Sequence, residues 1–73
     1  MGIKIIVKVV FNSSKDELES FGNNRYLLKL SYPEDSGAKM IIIEYLSRKM
    51  GTPASRIAYM GQDMRKNWIF EVL

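Results

Sequence analysis

The sequence contains no cysteine and no histidine. The first absence removes disulfide staples, thiolate nucleophiles and cysteine zinc sites, and the second removes imidazole as general base or metal ligand. Ser-His-Asp and Cys-His catalysis are therefore excluded, and a chain of 73 residues must be held by packing alone. A reduced, cytoplasmic setting is the expectation that follows. Long apolar runs are missing as well. The stretch from Ile3 to Phe11 is broken by Lys4 and Lys8 and falls far short of the roughly 20 residues needed to span a bilayer. No membrane partner is expected. Proline is limited to Pro33 and Pro53, which read as punctuation between elements.

What is present is an ordinary globular composition, 47% hydrophobic and 26% charged. A domain this short buries only about 60% of its unfolded surface, so one domain over residues 1–73 is all the length supports. Lysine and arginine exceed the acids by a formal charge of +3. That attracts polyanions weakly and does not by itself identify a nucleic-acid binder.

Ile3, Ile5, Val7, Val9 and Phe11 set against Lys4 and Lys8 give the period of two that marks a half-buried strand. The polar stretch from Asn12 to Asn24 reads as a loop closed by Gly22 and two asparagines. Within it, Ser14 and Glu17 form the capping box of one helical turn, whose Leu18 and Phe21 tuck against the core. Tyr26, Leu28, Leu30 and Tyr32 alternate with Arg25, Leu27, Lys29 and Ser31, a second strand expected antiparallel to the first and ended by Pro33. Asp35 and Ser36 are N-cap candidates for a helix with Ala38, Ile41, Ile42, Tyr45, Leu46 and Lys49 at three- and four-residue spacing. It ends at Gly51, before Pro53. A strand from Arg56 to Met60, a turn from Gly61 to Arg65 and a strand from Lys66 to Leu73 complete the order β-β-α-β-β. The expected class is α+β, a two-layer sandwich with one helix packed on a sheet.

Pro33, Asp35 and Ala38 before the helix, and Gly61 and Arg65 after it, stand at spacings that resemble the YggU-like family of small α/β proteins. That family's pattern runs strand, Pro, Asp-Gly-x-Ala-Asn, helix, strand, Gly-x-x-Ser-Arg-x-Lys, strand. The likeness runs from Leu28 to Asn67, somewhat over half of the chain. Ser36, Lys39, Met64 and Asn67 replace the pattern's Gly, Asn, Ser and Lys, while Gly37 and Lys66 lie one position away. The resemblance implies a mixed four-stranded sheet and no assigned activity, and it makes Asp35, Lys39, Arg65 and Lys66 the binding candidates. Relatives of this kind carry a further helix after the last strand, whereas the sequence in hand stops at Leu73. Part of the sheet is therefore expected bare along the terminal strand, with Trp68, Phe70 and Val72 on one side and Ile69 and Leu73 on the other. A β-grasp fold of the ubiquitin kind shares the element order but lacks the two clusters.

Carboxylates are the remaining source of acid/base or Mg²⁺ chemistry, and Glu34, Asp35 and Asp63 fall at loop ends. Helix capping and turn formation account for Asp35 and Asp63 without a substrate. No catalytic residue, metal site or cofactor is assigned. Phosphate at the helix start, near Ser36, Gly37 and Lys39, would meet Glu34 and Asp35. The aromatics Phe11, Tyr26, Tyr32, Trp68 and Phe70 share parity with core positions. The opposite parity exposes Lys4, Lys8, Arg25 and Lys29 among Ile6, Val10 and Leu27. Arg65 is expected to meet Asp35, as a site or as an ion pair between loops. The expected function is a non-enzymatic binding module for a protein partner, or self-association through bare sheet. The alternative is weak, non-specific RNA binding through the basic face together with Arg65 and Lys66.

Overall fold

The structure, a computed structural model, describes residues 2–73. Its elements are β1 (Ile3–Val10), β2 (Glu17–Gly22), β3 (Arg25–Lys29), α1 (Ala38–Met50), a 3-10 turn (Ala54–Arg56), β4 (Ile57–Gln62) and β5 (Trp68–Val72). The five strands form one mixed sheet in the order β2-β3-β1-β5-β4, and α1 covers one face. The fold is α+β, with one more strand than the sequence pattern suggests. Among the described residues no helix is long and apolar enough to cross a membrane.

The extra strand is the segment expected to be a loop with one helical turn. Its Glu17–Gly22 pairs antiparallel with β3 and joins it through Asn23 and Asn24, both at positive φ. This is the two-residue turn whose twist suits a hairpin, and asparagine tolerates its left-handed backbone better than most residues. The inserted strand also reverses the expected pairing. With β2 lying antiparallel to β3, the chain turns back twice before β3, which therefore runs parallel to β1, Val7 level with Tyr26 and Val9 with Leu28. The third strand of the chain is also shorter than expected. It ends at Lys29, and Tyr32 lies beyond it, 46% exposed rather than in the core.

The core is built from alternate positions. Ile5 and Val7 of β1, Leu28 of β3, Ile57 of β4, and Trp68 and Phe70 of β5 face Ala38, Ile42, Ile43 and Leu46 of α1, with Leu30 beside them. Phe11, Tyr26, Ile41, Tyr45 and Val72 are half-buried at its margin. Leu18 joins that margin, as expected, but Phe21 does not and is 61% exposed. Register explains the split. Leu18 lies level with Leu28 and faces the helix, whereas Phe21 falls at a bulge between Ser20 and Gly22 and takes the opposite side.

The helix begins where Asp35 terminates the preceding turn. Its Oδ1 accepts the Gly37 N–H at 2.8 Å and its carbonyl accepts the Ala38 N–H at 3.1 Å. Gly37 holds the N-cap position itself, so Asp35 acts two residues before a direct cap. At the far end Gly51 adopts φ 64, and the N–H groups of Gly51 and Thr52 both donate to the Ser47 carbonyl. After the 3-10 turn, β4 runs two residues past the expected Met60. A bulge between Tyr59 and Gly61 absorbs the additional residue, with Gly61 at φ 107, and shifts the turn to residues 63–67. The last strand lies between β1 and β4. Trp68 and Phe70 are therefore buried and Ile69 is half-buried, which is why β5 is apolar on both sides.

Candidate binding site on the open sheet face

The helix covers one side of the sheet. Alternation sends Lys4, Ile6, Lys8 and Val10 of β1 to the other side, since Ile5 and Val7 point into the core. Cross-strand neighbours share a face, so Arg25, Leu27 and Lys29 of β3 join them through the pairs Ile6–Arg25, Lys8–Leu27 and Val10–Lys29. The four sheet cations expected on one surface thus do lie on one surface. On β5 the same face carries Ile69 and Glu71, level with Ile6 and Lys4, and on β2 it carries Glu17 and Glu19, level with Lys29 and Leu27.

These acids divide the basic face. Glu17 lies 3.8 Å from the Lys29 ammonium and 3.7 Å from that of Lys15, and Glu71 stands opposite Lys4. Lys8 and Arg25 have no carboxylate within 4.0 Å among the described residues, and neither does Arg65. All three line one open cleft of about 270 Å³, together with Ile6, Phe21, Tyr26 and Asn67. The positive centre of the face is therefore this cleft rather than the full row of lysines.

Arg65 reaches the cleft because of the turn that carries it. Asp63 Oδ1 accepts the N–H groups of Arg65 and Asn67 at 2.9 Å each, and Asp63 Oδ2 accepts the Asn67 amide at 3.1 Å. The Asn67 and Arg65 N–H groups, with the positive charge of Arg65 nearby, hold the Asp63 carboxyl below the usual aspartate range. Lys66 is exposed in the same turn at φ 64 and does not line the cleft.

The expected meeting of Arg65 with Asp35 does not occur. No ion pair joins them among the described residues. Asp35 and Lys39 belong to the helix layer, where the Lys39 ammonium sits 5.9 Å from the centroid of the Tyr59 ring. Tyr59 lies level with the buried Phe70, on the side opposite the cleft. The four candidates thus separate: Asp35 and Lys39 go to the helix side, and Arg65 joins Lys8 and Arg25. Sequence spacing cannot see this, because the turn's reach depends on the bulge that lengthens β4. Phe21 is the cleft residue that apolar patterning misassigns. Asn23-Asn24 signals the hairpin, but regular pairing back from that turn would set Phe21 opposite Tyr26 on the core side, and only the bulge between Ser20 and Gly22 turns it outward.

A second hollow of about 320 Å³ lies on the other half, lined by Gly2, Lys4, Met60, Ile69, Phe70 and Glu71. Its exposed apolar element is Met60, 58% exposed. Asp35 Oδ1 accepts the Gly37 N–H and Asp63 Oδ1 accepts those of Arg65 and Asn67, so both carboxylates organise their own turns. Among the described residues no three acids gather into a metal-binding group. The chain matches no family model, no curated protein and no solved structure.

Proposed function

We propose that this chain is a non-enzymatic binding module whose open sheet face holds nucleic acid through phosphate contacts. The observation that carries the reading is the cleft in which Lys8, Arg25 and Arg65 meet, none of them in an ion pair within 4.0 Å among the described residues, with Asp63 of its own turn the acid near Arg65. Solvated cations that serve only solubility are normally interspersed with acids, as Lys29 is with Glu17. Three cations around one hollow, none held in a salt bridge, concentrate positive potential where an anion can reach it. The absence of histidine and cysteine, and the commitment of Asp35 and Asp63 to their turns, support a binding role over catalysis. Kinship with the YggU-like proteins is part of the proposal and rests on Pro33, Asp35, Ala38, Gly61 and Arg65; no residue role is taken from it.

A protein partner is the second reading, and the hollow beside Met60 and Ile69 favours it. An apolar side chain inserted there would cover the least polar part of the face. Titration with a short labelled oligouridine separates the two. Phosphate contacts predict affinity that falls steeply between about 50 and 200 mM salt. No binding at the lower salt overturns the nucleic-acid reading and leaves the hollow beside Met60 as the surface to pursue.

A further inference from the structure

Two residues of the cleft have no role in phosphate attraction. Ile6 forms part of its floor, and Phe21 stands at one side with most of its ring in solvent. An aromatic ring left exposed on an edge strand adds nothing to the core, and a polar residue there would keep the edge solvated at lower risk of aggregation. Its surroundings give it a different use. Phe21 sits at the bulge next to Gly22, which pairs with Arg25, so the ring neighbours the first of the three cations that form no ion pair within 4.0 Å. From there the cleft crosses β3 and β1 to Arg65 and Asn67, three strand spacings of about 4.8 Å.

We infer that this cleft takes a short single-stranded segment of nucleic acid, with a base stacked on Phe21 and the adjoining phosphates held by Arg25, Lys8 and Arg65. The inference rests on the nucleic-acid reading of the face and adds the occupant's strandedness and the residue that detects it. Stacking on an aromatic ring is open to any base whose face is free, and in a duplex those faces are covered by neighbouring bases. The acids bound the footprint. Glu17 and Glu19 close the face on the β2 side and Glu71 closes it beyond Lys4. A long duplex laid over the sheet would bring phosphates onto those carboxylates, whereas a few nucleotides following the cleft avoid them.

The experiment is fluorescence anisotropy with the intact chain and a short fluorescein-labelled oligouridine, repeated with a matched duplex, over a salt series. Three phosphate contacts at about 0.7 each predict a slope of log affinity on log salt near −2 for the single strand. Lys8→Ala, Arg25→Ala and Arg65→Ala should each flatten that slope by about 0.7. Phe21→Ala should weaken binding between about fivefold and a hundredfold at every salt while leaving the slope unchanged. Arg25, Phe21, Lys8 and Arg65 are all exposed, so thermal melts should show the variants folded, and Phe21→Leu separates loss of the flat ring from loss of apolar bulk. If Phe21→Ala binds as the parent does while the charge variants weaken, the stacking inference is overturned and the phosphate reading stands. Duplex bound as tightly as single strand overturns it equally. Absence of binding at low salt, or charge variants without effect, overturns the reading of the face itself.

Discussion

Asp63 and Asn67 are joined by three hydrogen bonds: the Asp63 N–H donates to the Asn67 carbonyl, and the Asn67 backbone and side-chain N–H groups donate to the two Asp63 carboxylate oxygens. One aspartate therefore closes the β4–β5 hairpin and sets where Arg65 emerges. Asp63→Ala removes both acceptors and should lower the melting temperature, while Asp63→Asn keeps one side-chain acceptor and should fall between the two. Thermal melts followed by Trp68 fluorescence provide the check. Equal melting temperatures for Asp63→Ala and the parent would mean that the carboxylate does not organise this turn.

Acid should destabilise the fold through two aspartates. The Asp16 carboxyl is held below its ordinary value chiefly by the Ser31 N–H, which donates to it at 2.6 Å, and Asp63 is held low by the Asn67 and Arg65 N–H groups. A depressed folded-state pKa contributes stability above the unfolded value and loses it as protons bind the folded form. The loss should therefore begin near the ordinary aspartate value of 3.8 and grow below it. Urea midpoints measured from about pH 5 down to about pH 2 should fall, and less so in Asp63→Asn. A parallel fall in parent and variant would remove Asp63 from the account.

Two residues with the same φ of 64 should respond oppositely to substitution. Gly51 ends α1 in the left-handed region without a Cβ, so Gly51→Ala should cost about 1–2 kcal/mol. Lys66 takes the same backbone with a full side chain, and Lys66→Gly should relieve up to about 1 kcal/mol, part of the gain being offset by glycine's greater freedom in the unfolded chain. For a domain of this size each kcal/mol moves the melting temperature by roughly 4–8 °C. Shifts of opposite sign are expected, and shifts of the same sign would show that the two turns are not limited by backbone strain.

The helix was legible because it carries a strong period together with Gly51 and Pro53 at its end. The strands with apolar residues on alternate positions, β1 and β3, were legible for the same reason, and so was the shared face of Lys4, Lys8, Arg25 and Lys29. What escaped was β2. An edge strand with one inward apolar residue, Leu18, and an aromatic on the outward parity has no clear alternation, so its hydrophobic residues resemble those of a loop tucked on the core. The expected antiparallel pairing of β1 with β3, where the structure pairs them parallel, followed from that omission. The site was split for a related reason. Asp35 and Arg65 lie in loops, and neither apolar period nor charge indicates which side of a sheet a loop residue will reach.

Adjacent residues on β5 provide the sharpest test of which face is covered. Phe70 is fully buried beneath α1, and its neighbour Ile69 faces the open side, half-buried beside Met60. Truncating a buried phenylalanine to alanine typically costs about 3–5 kcal/mol. A 73-residue domain holds roughly 4–11 kcal/mol in total, so Phe70→Ala should remove a large share of that and shift the denaturation midpoint far below the parent's. Ile69→Ala loses its methyl groups from a site already in contact with water, opens no enclosed cavity, and should cost under about 1.5 kcal/mol. Equilibrium denaturation of the two variants measures the ratio. Comparable losses, with a parent that sediments as a dimer, would show that a second copy covers the face, and the cleft around Lys8, Arg25 and Arg65 would then lie at an interface between copies.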